Sequence, residues 1–351
     1  MTTTFLVTGG CGFIGSHLCD ALIAAGHGVR VLDDLSTGTL ANLAPGAQLI
    51  RGDVADVGLV RTALEGVEGC FHLAAVASVA RGVEDWLGTH RTNLTGMIIV
   101  LDAVRKLPPA PRVPVVYASS AAVYGDCSTL PITEAAEKRP LSAYGADKYG
   151  CELHARVATE VHGIPTTGLR FFNVYGPRQD PRSPYSGVIS LFAARLRRGA
   201  PVDVFGDGRQ TRDFISVRDV VTALLRAMDR RLPGARVFNV CTGVATSVLD
   251  LAGEIAALCD GGADIRFRPP RPGDIRDSWG SPAAASAALG LGEPMRLRAG
   301  LGEVLASLAA ESQDPGTAAG AALRPEADSI SATGRSEDEF LNQPGKHKPK
   351  K

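Results

Sequence analysis

The chain lacks any surplus of charge. Its 351 residues carry 37 Lys and Arg against 37 Asp and Glu. A balanced surface offers no global basic field to nucleic acid or to an anionic membrane. The N-terminal Met-Thr-Thr-Thr-Phe-Leu-Val-Thr-Gly lacks the basic start and apolar run of a signal peptide. No apolar run approaches the ~20 residues that span a bilayer. Metal-type spacing is missing as well. The seven cysteines, an odd number without such pairing, point to reduced thiols in a cytoplasm. Cys11 and Cys19 read as small apolar fillers. No internal repeat is visible. No metal is therefore expected, and neither is a nucleic-acid or membrane partner. What is present is an ordinary globular composition, 45% apolar and 21% charged. The length suits one large domain or two smaller ones with a sizeable core.

The first half alternates short β-branched runs with helical patterns. Strands are predicted over 5–8, 29–33, 48–53, 70–74, 115–119 and 166–171. Helices are predicted over 13–25, 57–65, 89–105 and 144–162. That alternation predicts an α/β fold, a Rossmann-type doubly wound parallel sheet. The nearly unbroken apolar run 72–76 reads as a strand buried on both faces. After about residue 176 the pattern loosens into Pro- and Gly-rich stretches. Ser216-Val-Arg-Asp219 and Ser247-Val-Leu-Asp250 read as capping boxes with Asp in place of Glu. The division expected is a dinucleotide-binding domain over 1–175, with returning segments near 213–245, and a smaller substrate-binding lobe over 176–310. The stretch 311–351 has too few apolar residues to pack and is expected to be a disordered tail.

Two motifs carry chemistry. Thr8-Gly9-Gly10-Cys11-Gly12-Phe13-Ile14-Gly15 lies between the first strand and the first helix. Glycines there permit a tight turn and close approach to a pyrophosphate, and the helix N-terminus offers free N–H groups. The second strand ends at Asp33, eighteen residues beyond Gly15. An acid there can accept from both ribose hydroxyls and repel a 2′-phosphate, which predicts NAD rather than NADP. Asp34 next door competes for this role. Asp53 and Val54 would meet the adenine edge. The second motif is Tyr144-Gly-Ala-Asp-Lys148, which puts a phenol and an ammonium on one helix face, one turn apart. A phenol is a poor base near neutral pH, and a fixed cation beside one favours the phenolate. The spacing alone also occurs by chance on surface helices.

With further segments, these motifs resemble the extended short-chain dehydrogenase/reductase family, and more closely its nucleotide-sugar 4-epimerase branch. The further segments are Gly52-Asp53-Val54, His72-Leu-Ala-Ala75, Ser119-Ser-Ala-Ala-Val-Tyr-Gly125, Arg170-Phe-Phe-Asn-Val-Tyr-Gly-Pro-Arg178, Phe205-Gly-Asp-Gly-Arg-Gln-Thr-Arg-Asp-Phe214 and Arg271-Pro-Gly-Asp274. The likeness runs from about Thr4 to about residue 305. It implies an NAD-dependent isomerase in the cytoplasm, acting on a UDP-sugar. It implies a homodimer formed through the helices near 89–105 and 144–162. Tyr144 would be the catalytic acid/base. Lys148 would support it and bind the nicotinamide ribose. Ser120 would hydrogen-bond the reacting sugar oxygen, with Ser119 as its immediate competitor. The cofactor would also meet Gly9, Gly12, Phe13, Ile14, Gly15, Ala74 and Asn93. Tyr124 would either lie near the sugar or serve the core.

Family members that eliminate or decarboxylate carry acidic or other polar groups just before Val-Tyr-Gly. This chain has Ala121 and Ala122. Elimination needs a base for the C5 proton and an acid for the leaving hydroxyl, and two alanines supply neither. The chemistry implied is oxidation of C4, turnover of the 4-keto sugar and re-reduction on its other face. Arg212 and Arg271 match the family's phosphate-binding arginines, and forked guanidinium groups suit phosphate oxygens. Asp274 would take a ribose hydroxyl and Phe205 would border the uracil. Asn173 and Val188 would line the diphosphate and sugar. Ser278 occupies a gate where a bulky Tyr resembles the glucose-restricted version. With Ser78 and Arg81, it resembles the group that tolerates N-acetylated sugars. UDP-glucuronate 4-epimerase is the nearest alternative, with Arg178, Arg182 or Ser186 facing the carboxylate. Another nucleotide-sugar dehydratase or oxidoreductase is a further alternative; a net oxidoreductase would release NADH to a second substrate, and a non-catalytic NAD-binding sensor would usually have lost the Tyr or Lys.

Overall fold

Seven parallel strands build the central sheet of the computed structural model. β1 is Thr4–Thr8, β2 Gly28–Asp33, β3 Gln48–Arg51, β4 Gly69–His72, β5 Val115–Ser120 and β6 Thr166–Phe171. The strand Ala235–Val240 returns to pair beside β6. Across the sheet the order is 235–240, β6, β5, β4, β1, β2, β3. The chain runs outward from β1 to β3 and then crosses back to β4. Between β1 and β4 the strand order reverses, and ligands bind at such a point beyond the carboxyl ends of the strands. The structure describes residues 3–108, 112–181, 187–259, 261–271 and 274–311. Arg182, Ser186 and the expected tail, apart from Glu311, lie outside those residues.

The helices are α1 (Phe13–Ala24), α2 (Val57–Leu64), α3 (Val79–Glu84), α4 (Trp86–His90), α5 (Gly96–Lys106), α6 (Ala143–His162), α7 (Val188–Leu196), α8 (Val217–Arg230), α9 (Val248–Leu258), α10 (Ala283–Leu289) and α11 (Leu297–Glu311). Alternate strand residues feed two cores, as the pleat requires. Phe5 and Val7 pack with Leu18 of α1 and Leu224 of α8. Leu6 packs on the opposite face with Leu64 of α2 and Val104 of α5. A third core joins Phe192 of α7, Ile255 of α9 and Leu301 of α11. The chain up to Ala310 forms one compact unit, and the division expected after residue 175 falls inside it. No helix among the described residues is long and apolar enough to cross a membrane.

Several expected boundaries move, each for a local reason. The third strand stops at Arg51 rather than reaching Asp53. Asp53 Oδ1 accepts from the Ala55 N–H at 2.8 Å, which turns the chain away from the sheet. The fourth strand stops at His72, so the run 72–76 is not a buried strand. There the Thr8 hydroxyl takes the N–H groups of Leu73 and Ala74, at 3.2 and 3.1 Å, and draws the chain out of the sheet. The single helix expected over 89–105 is interrupted by a π-helical turn, Arg91–Thr95. Its Asn93 side chain bonds the Val76 backbone rather than facing outward. The Ser216 capping box does not form. Ser216 caps the Arg218 N–H, and Asp219 instead accepts from Met295 at 2.9 Å. Ser247 does cap the Asp250 N–H, while its hydroxyl donates to the Asp250 carboxylate.

Candidate active site

The glycine motif forms the turn from β1 into α1. Gly9 sits at φ +73°, and a Cβ there would lie 2.8 Å from Ala74 N. A Cβ on Gly15 would lie 2.1 Å from Gly9 O, so the helix could not approach the turn. Gly12 precedes Phe13 and Ile14 at the start of α1, where no side chain caps the helix. The first N–H groups of a helix have no partner within it, and together with the dipole they suit a pyrophosphate. Asp33 faces this turn. Its Oδ2 accepts from the Cys11 N–H at 2.9 Å and its Oδ1 from Leu35 at 2.8 Å. Burial pushes its carboxyl pKa up, against the two N–H donors. Asp34 is exposed and spends Oδ1 on Ser36. Asp33 is therefore the acid beside the glycine turn.

Asp53 and Val54 follow the edge strand β3, whereas Ser78, Arg81 and Asn93 follow β4 inside the sheet. Asp53 pairs with Arg91 at 3.0 Å. Val54 is buried in the core against Gly96, not open to a ligand. Arg81 lines one cavity with Asp34, Asp53 and Arg91, apart from the other residues expected to meet substrate. Ser78 is buried and caps Arg81 N–H at 3.0 Å. Asn93 is fully buried, with both amide groups on Val76, so it shapes the loop after β4.

Tyr144 and Lys148 open α6, which Ser142 caps by accepting from Gly145 at 3.1 Å. Lys148 Nζ lies 5.8 Å from the Tyr144 ring centre. Lys148 is 2% exposed, and no hydrogen bond to its ammonium or to the Tyr144 hydroxyl occurs among the described residues. An ammonium held beside the Tyr144 ring on a buried side chain suits a ribose hydroxyl. Ser120 ends β5 and accepts from Ala122 N–H at 3.2 Å. Ser119 is spent on Glu152 at 2.6 Å, which leaves Ser120 as the half-buried hydroxyl of the pair. Tyr124 is a core residue, 1% exposed and bonded to Arg170 and Asn239. Burial pushes its phenol pKa up to about 12.

The substrate-end residues gather on short strands. Thr211–Arg212 pairs with Asp277–Ser278, setting Ser278 directly beside Arg212. Arg212 Nη2 donates to Asp274 Oδ1 at 2.6 Å. Arg271 stacks on Phe205, 3.8 Å from the ring centre. Asn173 starts the strand Asn173–Tyr175 with an exposed side chain. Val188 begins α7, half-buried. Arg178, a possible carboxylate partner, is paired instead with Asp20 of α1 at 2.7 Å. Sequence reasoning missed Asp213. Its backbone N–H donates to Ser278 and its carbonyl accepts from Asn173, at 3.0 and 2.9 Å. Its carboxylate takes the Thr242 and Gly243 N–H groups at 2.8 and 2.9 Å. Its place beside Arg212 was the signal available. Glu152, one turn past Lys148, was missed in the same way.

The glycine turn, the acid at the second strand and the Tyr–Lys helix define a dinucleotide-dependent enzyme site on a doubly wound sheet. Residues 5–241 match the family described as the NAD dependent epimerase/dehydratase family. The chain is 36% identical over 314 residues to the UDP-glucose 4-epimerase of Mycolicibacterium smegmatis, covering 88% of this chain and 99% of that one. It resembles the solved UDP-glucose 4-epimerase of Thermotoga maritima with UDP-glucose (TM-score 0.84, 36% identity, 89% of this chain and 100% of that chain). It also resembles the UDP-N-acetylglucosamine 4-epimerase of Methanobrevibacter ruminantium in complex with UDP-N-acetylmuramic acid (TM-score 0.83, 31% identity, 89% of this chain and 100% of that chain). The chain belongs to the NAD dependent epimerase/dehydratase family and is an NAD-dependent enzyme of the epimerase type.

Proposed function

We propose that the protein interconverts UDP-hexoses at C4, acting on UDP-N-acetylglucosamine and UDP-N-acetylgalactosamine and also on UDP-glucose and UDP-galactose. The observation that carries this reading is Lys148 Nζ at 5.8 Å from the Tyr144 ring, on a helix touching a turn whose residues after Ser120 are alanines. Tyr144 takes the proton of the C4 hydroxyl and later returns it. Ser120 donates to the reacting oxygen. Lys148 holds the nicotinamide ribose. NAD, when held there, would supply a reversible hydride acceptor for C4, and the proton Tyr144 takes and returns would accompany a 4-keto form of the sugar. The chain itself must grip the nucleotide and leave the sugar free to turn. Arg212 and Arg271 suit the diphosphate, Asp274 a ribose hydroxyl, and Phe205 the base.

Ala121 and Ala122 provide no acid or base for elimination at C5, which favours epimerisation over dehydration. The pairing of Arg178 with Asp20 weakens the glucuronate alternative. Ser278, small and adjacent to Arg212, favours a pocket that admits an N-acetyl group.

The test is incubation of purified protein with UDP-sugars and no added cofactor, read by chromatography. Epimers of the N-acetylated and plain hexoses should appear, with NAD retained by the protein. Tyr144→Phe should abolish turnover and leave UDP-sugar binding largely intact. Absence of any C4 epimer, or turnover only with continuous NAD supply, would reject the proposal. A homodimer is proposed alongside, formed by two copies of the apolar face of α6 and α5.

A further inference from the structure

Beneath the Ser120 turn lies a buried polar network that the proposed reaction does not use. Glu152 on α6 holds Arg170 of β6 through two bonds, Nε to Oε1 at 2.8 Å and Nη2 to Oε2 at 2.7 Å. Their side chains are 5% and 4% exposed. Ser119 donates its hydroxyl to the same Oε1 at 2.6 Å. On the other side, Arg170 Nη1 donates to the Tyr124 hydroxyl at 2.6 Å. That hydroxyl in turn donates to Asn239 Oδ1 at 2.6 Å.

A buried ion pair is a weak source of stability, because desolvation offsets the attraction. Its placement gives it another role. Ser119 immediately precedes Ser120. Tyr124 closes the short turn Ala121–Tyr124 that Ser120 caps. One guanidinium–carboxylate pair therefore grips the chain both before and after Ser120. It does so from α6, one turn beyond Lys148. The same turn and helix touch at Gly145, where a Cβ would lie 2.6 Å from Ala122 O.

We infer that Glu152 and Arg170 are positioning residues, holding the Ser120 turn in register with Tyr144 and Lys148 through Ser119 and Tyr124. This inference rests on the proposed contact between Ser120 and the sugar. Its test is a double-mutant cycle, using UDP-glucose or UDP-N-acetylglucosamine, whichever the wild-type protein converts faster. Ser119→Ala removes one bond and leaves the Arg170–Glu152 pair in place, so the fold survives; Tyr124→Phe loosens the other end. Each should lower kcat about tenfold, since small misplacements of reacting groups are expensive in rate. KM and retained NAD should stay within about twofold of wild type. In a Ser120→Ala background the further loss from either change should shrink to less than about twofold.

A lowered melting temperature with kcat unchanged would overturn the inference, leaving the network merely structural. Recurrence of the full loss on an impaired Ser120→Ala would overturn it too, while sparing the role of Ser120. Unimpaired kcat in Ser120→Ala alone would refute that role and the inference together.

Discussion

Thr8 has a single hydroxyl hydrogen, and its neighbours decide where it goes. Its oxygen already accepts the N–H groups of Leu73 and Ala74. That leaves its hydrogen to point at His72 Nδ1, 2.9 Å away, an arrangement that suits the His72 tautomer with its proton on Nε2. Burial pushes the His72 pKa down to about 3, and the Lys148 cation adds to that. An unfolded His would titrate near 6.5. Between these values the unfolded chain binds a proton that the folded chain refuses. Stability is therefore full above about pH 6.5 and falls below it, by up to about 1.4 kcal/mol per pH unit. Urea unfolding at about pH 7.5 and about pH 5 should expose this. In His72→Gln the loss across that interval should be smaller by about 2 kcal/mol. An equal loss in both proteins would show that His72 does not titrate as described. His72-Leu-Ala-Ala75 is legible as a motif in the sequence. The tautomer is not, because it depends on a hydroxyl 64 residues away.

At the scale of elements, what the chain reveals depends on how local the cause is. α1, α2 and α6 lie within a residue of the ranges read from the sequence at each end, because the patterns that set them act over a few residues. The π-helical turn at 91–95 was not legible, because Asn93 is drawn to the Val76 backbone seventeen residues away. The two-residue strand Asp277–Ser278 was equally hidden, since only its pairing with Thr211–Arg212 creates it. That pairing sharpens the role of Ser278. It fixes a small side chain next to the guanidinium proposed for the diphosphate, where the sugar begins. Ser278→Tyr should lower kcat/KM for UDP-N-acetylglucosamine on the order of a hundredfold, by filling space the N-acetyl group needs, a difference of about 2.7 kcal/mol. Activity on UDP-glucose should change only a few-fold. Steady-state assays on both sugars would decide it. Undiminished turnover of the N-acetylated sugar would remove the gate.

For the whole molecule, the alternating pattern carries the parallel sheet and its flanking helices but not the order of its seven strands, and one surface has no cause among the described residues. Leu153, Val157 and Val161 recur every four residues on α6 and are 42%, 49% and 68% exposed. Ile98 of α5 adds to them at 36%. A stripe on a single helix face at that spacing is what a core-facing helix shows, and here it faces outward. The partner proposed is a second copy, because an isologous contact would bury the same stripe twice. Light scattering coupled to size exclusion should give a dimer mass for the wild-type protein. Val157→Glu would place an unpaired carboxylate in each half of that contact, at a penalty of at least about 3 kcal/mol. The dissociation constant should then rise about a hundredfold or more, and the mass should fall to that of a monomer at micromolar concentration. The fold should persist, since Val157 is half-exposed in the single chain and its substitution empties no core. A monomeric wild-type protein, or a Val157→Glu variant that stays fully dimeric, would place the stripe outside any self-contact.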